Sequence, residues 1–189
     1  MIKRQILDLG LRLMLVCALA AIGLGLTYTV VEERIAEMEQ QEREEAGVEV
    51  LASLGAEPRE DQQLFASLQE TYPDLLGMFE GVDEDGKLLG YAFIVESKGY
   101  SRMTVAVGVD SECRVAGIEV VKNEETPSIG GKAIESDEFV GQFMEKGPGR
   151  LVLGVDVDAF SGATLTSRGI TDAVNLALDI CAELEKPEE

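Results

Sequence analysis

At 189 residues the chain is long enough for one domain with a real core plus an appendage. It contains no histidine, which excludes histidine-based acid–base catalysis and histidine metal ligation, and its three cysteines, Cys17, Cys113 and Cys181, lack the C-x-x-C spacing of a zinc or iron–sulfur site built by one chain. The formal charge is −20; without the first 31 residues, which carry Lys3, Arg4, Arg12 and Asp8, 13 basic and 35 acidic residues remain, so phosphate backbones are repelled and nucleic acid is a poor partner.

From the N-terminus, Leu13 to Val31 is a run without a charge. As a helix it would span about 28 Å, close to the thickness of a bilayer core. Tyr28 near its end suits the interface. Ala18-Leu19-Ala20 has the small-residue pattern of a signal cleavage site, but the apolar run continues eleven residues beyond it, which favours an uncleaved anchor. Cys17 follows Val16 and so does not read as a lipoprotein acylation site. Lys3, Arg4 and Arg12 before the span slightly outweigh Arg34 and Arg43 after it, which favours an inside N-terminus.

Glu32 to Ala46, dense in Glu, Gln and Arg, reads as a solvated helical stalk, with Gly47, Gly55 and Pro58 expected to break it. Asp61–Thr71 places Leu64, Phe65 and Leu68 on one helical face, and Pro73 stops it. Met78–Val82 and Leu88–Val95 flank Asp83-Glu84-Asp85-Gly86, and Met103–Val109 and Arg114–Val121 flank Asp110-Ser111-Glu112. This spacing predicts an antiparallel meander of four strands with one face packed on helices, and hence an α+β fold. Pro127, Gly130 and Gly131 mark a structured loop over 123–132. Ser136–Lys146 is a short helix capped by Ser136, with Phe139, Val140 and Phe143 apolar, ended by Gly147-Pro148-Gly149. Leu151–Val155 is expected as a last strand. The final helix turns Ile170, Val174, Ala177, Leu178 and Cys181 to the core. With Cys17 in the apolar run, only Cys113 and Cys181 could pair; each reads better as a core residue.

Between that last apolar run and the final helix lies Asp158-Ala159-Phe160-Ser161-Gly162-Ala163-Thr164-Leu165-Thr166-Ser167. Gly162 permits a tight bend, and Ala163 leaves room for the hydroxyls of Ser161, Thr164 and Thr166. Ser167 is the expected N-cap, aiming backbone N–H groups and a positive dipole end at the loop, which suits a phosphate. A plain capped turn has the same composition.

Asp158-x-x-Ser161-Gly162-Ala163-Thr164 resembles the flavinylation motif of the FMN-binding domain in the G subunit of Rnf complexes and the C subunit of sodium-pumping NADH:quinone reductases. Glu125-Thr126-Pro127-Ser128-Ile129-Gly130 is similar to the family's Glu-Thr-Pro-Gly-Leu-Gly, with Ser128 for a glycine and Ile129 for a leucine. Gly99-Tyr100-Ser101 and Val107-Gly108-Val109-Asp110 also resemble its strand pattern, with Arg102 where a glycine is common. The resemblance covers roughly Met78 to Leu184.

The resemblance implies an N-terminal transmembrane helix followed by an FMN-binding domain with an antiparallel sheet packed against helices. Residues 1–31 would be a cytoplasmic N-terminus and anchor, 32–60 a helical stalk and linker, 61–186 the flavin domain and 187–189 a tail. FMN would be carried through a phosphoester on Thr164, with Ser161, Gly162, Ala163, Leu165 and Thr166 around it. Tyr100, Glu125, Thr126, Ile129 and Gly130 would line the ring, and an ionised Glu125 close to it would lower its potential. Asp158 would serve recognition by a magnesium-dependent flavin transferase that uses FAD, or only the turn. The resemblance further implies one-electron transfer with no catalytic side chain and no metal ligand of its own. Other membrane subunits would be its partners, and the domain would lie on the extracytoplasmic side of the plasma membrane. Chain length favours the Rnf protein. The alternatives are the quinone-reductase protein, a stand-alone extracytoplasmic flavoprotein, and a non-redox anchored scaffold with a vestigial motif.

Overall fold

The computed structural model describes residues 2–186. The tail expected at 187–189 lies outside the described residues, as do the side chains of Lys3, Arg4 and Asp8 that entered the orientation argument. The chain divides into two units, Met1–Gln41 and Glu42–Glu189. The first is helical, as part of α1 (Ile2–Ala52). Within it Gly10–Tyr28 is long and apolar enough to cross a membrane, with a mean hydropathy of 1.9 over 19 residues. This stretch begins before Leu13 and includes Arg12, whose aliphatic stem can carry its charge to an interface.

The second unit is built on a five-stranded antiparallel sheet in the order β1–β5: Glu57–Arg59, Leu75–Val82, Leu88–Lys98, Arg102–Asp110 and Val115–Asn123. Two aspartates shape its turns. Asp83 Oδ1 accepts from the backbone N–H groups of Asp85 and Lys87, and Asp110 Oδ1 from those of Glu112 and Arg114. Such side-chain turns compete well with extended backbone, and they lock the two hairpins. The four predicted strands are therefore present. A fifth, β1, lies in the segment read as linker, where Pro58 sits on an edge strand that needs only one hydrogen-bonding side.

The sheet is covered on both faces, where one covered face was expected. On one side Tyr91, Phe93 and Val95 of β3 and Met103, Val105, Val107 and Val109 of β4 meet α5 (Thr164–Leu184). α2 (Gln62–Thr71, N-capped by Asp61) and Phe139 and Phe143 complete this core. After the single turn α3 (Lys132–Ile134), Ser136 caps the short α4 (Asp137–Val140), in which Phe139 lies, by accepting from the Phe139 N–H; Phe143 closes the 3₁₀ turn that follows. On the other side Ala92, Ile94 and Ala106 meet Ala46, Val50 and Leu51 of α1. Burying Leu51 or Val50 contributes about 2 kcal/mol each. The helix continues through Gly47 because glycine inside a helix costs only about 1 kcal/mol relative to alanine. Here its missing side chain makes room for Phe79: a Cβ on Gly47 would lie 2.8 Å from that ring. Gly117, and Gly108 beside it, leave space for the Val50 carbonyl, 2.8 Å from where a Gly117 Cβ would stand.

Two further expectations are corrected. Leu151–Val155 is not a strand: it holds one parallel bridge, Leu153 to Val157, within a tight loop. The backbone groups of Leu151 are taken by the buried Asn175 side chain, which accepts from its N–H at 2.6 Å and donates to its carbonyl at 2.9 Å. Asp156 accepts from the Val152 N–H and closes the loop. Cys113 and Cys181 are not separate core thiols but a disulfide, with Cα atoms 5.8 Å apart. They are 68 residues apart in sequence, and the packing of α5 across β3 and β4 brings them together.

At the end of α5, the Tyr72 hydroxyl donates to the Glu183 carboxylate. That hydrogen bond, followed by burial and the nearby negative charges, pushes the phenol up to about 12 from 10.0. The folded state therefore holds this proton more tightly than the unfolded chain. The resulting stability is complete below pH 10 and is lost as pH rises toward 12. Urea midpoints measured across this window should fall with pH, and Tyr72→Phe should flatten that slope.

Candidate functional site

The site forms where three segments meet: the β3–β4 turn, the loop after β5 and the first turn of α5. The last of these begins with Gly162 at φ +84°, a left-handed conformation that glycine adopts without penalty. α5 then starts at Thr164, not after Ser167 as predicted. Ser167 is buried and is no cap: its hydroxyl accepts from the Phe160 N–H at 2.9 Å and donates to the Ala163 carbonyl at 3.0 Å. Tying the preceding loop to the helix in this way frees one more turn to wind. Ala163 takes the N-cap position and offers no side-chain acceptor. The first amides of a 21-residue helix therefore face outward with the positive end of its dipole.

The three candidate hydroxyls differ sharply. Thr166 is buried and donates to Glu125 Oε2 at 3.0 Å. Ser161 and Thr164 are exposed, and among the described residues neither hydroxyl has a hydrogen-bond partner. Thr164 heads the helix and borders a cleft of about 460 Å³, within the usual size range of small-molecule sites.

Glu125 organises the cleft. It is 6 % exposed, and its second oxygen, Oε1, accepts from the Ser101 N–H at 2.9 Å. One carboxylate thus binds the β3–β4 turn to α5. Close contact is possible because small residues meet there: a Cβ on Gly169 would lie 2.8 Å from the Gly99 nitrogen, and one on Gly99 would lie 2.7 Å from Glu125 Oε1. Ser97 donates to the Gly169 carbonyl at 2.7 Å and adds a second tie. Over 127–131 the loop forms a single π-type turn after Pro127, which holds Gly130 against Glu125 and Thr166.

Of the residues singled out in the sequence, Tyr100, Glu125, Thr126, Ile129, Gly130, Gly162, Ala163, Thr164, Leu165 and Thr166 all border this one cleft. Tyr100, Ile129 and Leu165 are exposed apolar groups on it, suited to a flat ring. Ser161 and Asp158 do not line it. The Asp158 side chain is exposed, while its backbone N–H donates to Gln142 Oε1 and its carbonyl accepts from Gln142 Nε2. Ser97, Ser101 and Gly169 were missed as parts of the site. Gly169, an isolated glycine inside a helical pattern, is the one that carried a signal of close packing. A second cleft, about 480 Å³, shares Thr164 and extends past Arg168 and Arg150.

The cleft has the donors and the apolar edges that a flavin mononucleotide requires: outward helix amides for a phosphate and exposed apolar side chains for the ring. Residues 99–179, which include all three of its segments, match the FMN-binding domain family. The class of protein is therefore an FMN-binding domain joined to a helix able to cross a membrane. Two relatives align over nearly the whole chain. The G subunit of the Na(+)-translocating ferredoxin:NAD(+) oxidoreductase complex of Acetobacterium woodii is 31% identical, over 97% of this chain and 95% of its own. The G subunit of the ion-translocating oxidoreductase complex of Methanosarcina acetivorans is 29% identical, over 97% and 98%. The chain belongs to this family of G subunits of ion-translocating oxidoreductase complexes. The crystal structure of Shewanella oneidensis NqrC overlaps it in part, at 25% identity and a TM-score of 0.45, over 56% of this chain and 60% of that one.

Proposed function

We propose that this protein is the membrane-anchored electron-transfer subunit of an Rnf-type ferredoxin:NAD oxidoreductase coupled to ion translocation, with FMN bound covalently at Thr164. The observation that carries the reading is the position of Thr164, an exposed, unpartnered hydroxyl at the head of α5 inside the matched domain. Bound FMN supplies one-electron redox chemistry, which the side chains of this domain do not. The chain's own part is to hold and shield it. The outward amides of the first turn would hold the phosphate and Tyr100, Ile129 and Leu165 would border the ring, while the Glu125 clamp keeps the walls at a fixed separation.

Among the described residues no side chain accepts from the Thr164 hydroxyl as a base would, and attachment is assigned to a separate flavin transferase that uses FAD. The threonine oxygen forms a bond to the FMN phosphorus, the pyrophosphate bond breaks, AMP leaves, and the hydroxyl proton is released. Intact mass from a host with that enzyme tests the reading: the chain should gain FMN less water. A chain of unmodified mass without flavin absorbance overturns it.

The partners are the other membrane subunits of the complex, and the domain lies on the extracytoplasmic side. The Cys113–Cys181 disulfide supports that side, because such bonds persist in oxidising compartments and are rare in the cytosol. Protein denatured in excess maleimide without reductant should keep both cysteines unmodified, and N-terminal sequencing of membrane-extracted protein should begin near Met1. Free thiols at both positions, or a start near Ala21, would contradict this arrangement.

Ile129, on the loop that borders the cleft, tests the ring contact. Ile129→Asp should shift flavin absorption and the midpoint potential while attachment continues, because a carboxylate then replaces an apolar neighbour. An unchanged spectrum and midpoint would remove Ile129 from the ring's surroundings.

A further inference from the structure

The second cleft beside Thr164 contains a cation that the reading above leaves without a role. We infer that Arg168 is a binding residue for the phosphodiester formed at Thr164, reaching it from the second cleft. The inference rests on FMN being carried at Thr164.

Arg168 follows Thr164 by four residues in the first two turns of α5, and positions so spaced are neighbours on one helix face. Long side chains on a helix lean back over the preceding turn, a direction in which the Arg168 guanidinium can reach a group carried on Thr164. Both residues border the same cleft of about 480 Å³, a space distinct from the one that would hold the ring. A diester on Thr164 would therefore stand between two clefts, with the ring in one and Arg168 in the other.

The chain carries 36 acidic residues against 16 basic ones, and four arginines of the second unit sit on carboxylates. They are Arg59, Arg102, Arg114 and Arg150, the last pairing with Asp179 at 3.4 Å. Arg168 is exposed and makes no ion pair among the described residues, although Asp172 borders the same cleft. A guanidinium also suits a phosphodiester better than an ammonium does, because its fork can bind two oxygens at once. In so acidic a domain, an anion introduced at Thr164 needs such a local counter-charge.

The test uses the full chain, produced with an active flavin transferase and purified in detergent, as wild type, Arg168→Gln, Arg168→Glu and Arg168→Lys. Fully labelled fractions are compared by ³¹P NMR, and labelling rates by in-gel flavin fluorescence. The diester resonance should move in the Gln variant and return toward its wild-type position in the Lys variant. The labelling rate of the Glu variant should fall about tenfold, the size of one lost charge-assisted hydrogen bond. Thermal melting should be unchanged, since the side chain is exposed. An unmoved resonance overturns the inference whatever the labelling rate, and slow labelling with an unmoved resonance would place Arg168 on the transferase contact. A wild-type chain without label would overturn the reading beneath it and this inference together, whereas a labelled wild type with an unmoved Gln variant overturns this inference alone.

Discussion

Thr164→Val should abolish covalent flavin while the fold survives, and Thr166→Val should do the reverse. Thr164 is exposed, and among the described residues its hydroxyl bonds to nothing, so replacing the oxygen by a methyl group breaks no internal hydrogen bond. On the proposed attachment, what is lost is the nucleophile. Thr166 is 2 % exposed, and its hydroxyl meets one oxygen of Glu125. Valine there leaves a buried carboxylate short of a donor, at a cost of roughly 2 kcal/mol, but it removes no atom from the attachment point. In denaturing gels the Thr164 variant should be dark and the Thr166 variant fluorescent, with Ser161→Ala fluorescent as well. In urea, the Thr166 variant alone should unfold at a lower midpoint. A fluorescent Thr164 variant beside a dark Thr166 variant would move the attachment two residues along the helix.

Glu125→Ala should be the most damaging single change in the cleft. Its carboxylate accepts from the Ser101 amide and the Thr166 hydroxyl, and so ties the β3–β4 turn to α5 beside the Ser97–Gly169 hydrogen bond. Alanine leaves both donors unpaired and opens a gap beside Gly99 and Gly130, whose missing side chains were filled by this one. A loss of roughly 3 kcal/mol is expected from two hydrogen bonds to a charged group. Urea denaturation of the flavin-free chain measures this without the cofactor's own contribution. Glu125→Gln keeps the shape and one acceptor oxygen, so it should recover part of the loss. Full stability in the alanine variant would mean that the glycine contacts and the Ser97–Gly169 hydrogen bond hold the cleft without it.

The sequence was most informative where chemistry constrains short stretches. Asp83 and Asp110 announce their hairpins because an aspartate can bind the backbone of its own turn, and both strand pairs form around them. The ten residues that border the cleft come from two short motifs and one tyrosine, each local in the chain. Long-range packing was less legible. Tyr91–Val95 and Val105–Val109 are continuously apolar, the pattern of strands covered on both faces, but nothing in Glu42–Ala52 identified that helical segment as the second cover. Leu151–Val155 resembles a strand in composition, yet Asn175, more than twenty residues away, takes the hydrogen bonds that a neighbour would need. Ser167 suits a cap by type and was displaced from that role by the Phe160 amide.

The glycines at 108 and 117 bear on where the soluble part of the molecule truly starts. Through them the backbone of Val50 lies directly on β4 and β5, and Leu51 is wholly buried. Proteolysis before residue 42 would release a domain with both cores whole. Nicking the chain just ahead of α2 would instead strip one layer, leaving Phe79, Ala92, Ile94 and Ala106 open to water. Such a fragment would keep every residue of the candidate cleft and yet be prone to aggregate through its bare sheet face, so shedding this domain intact from a membrane requires a cut within the exposed helix and not in the connection after it.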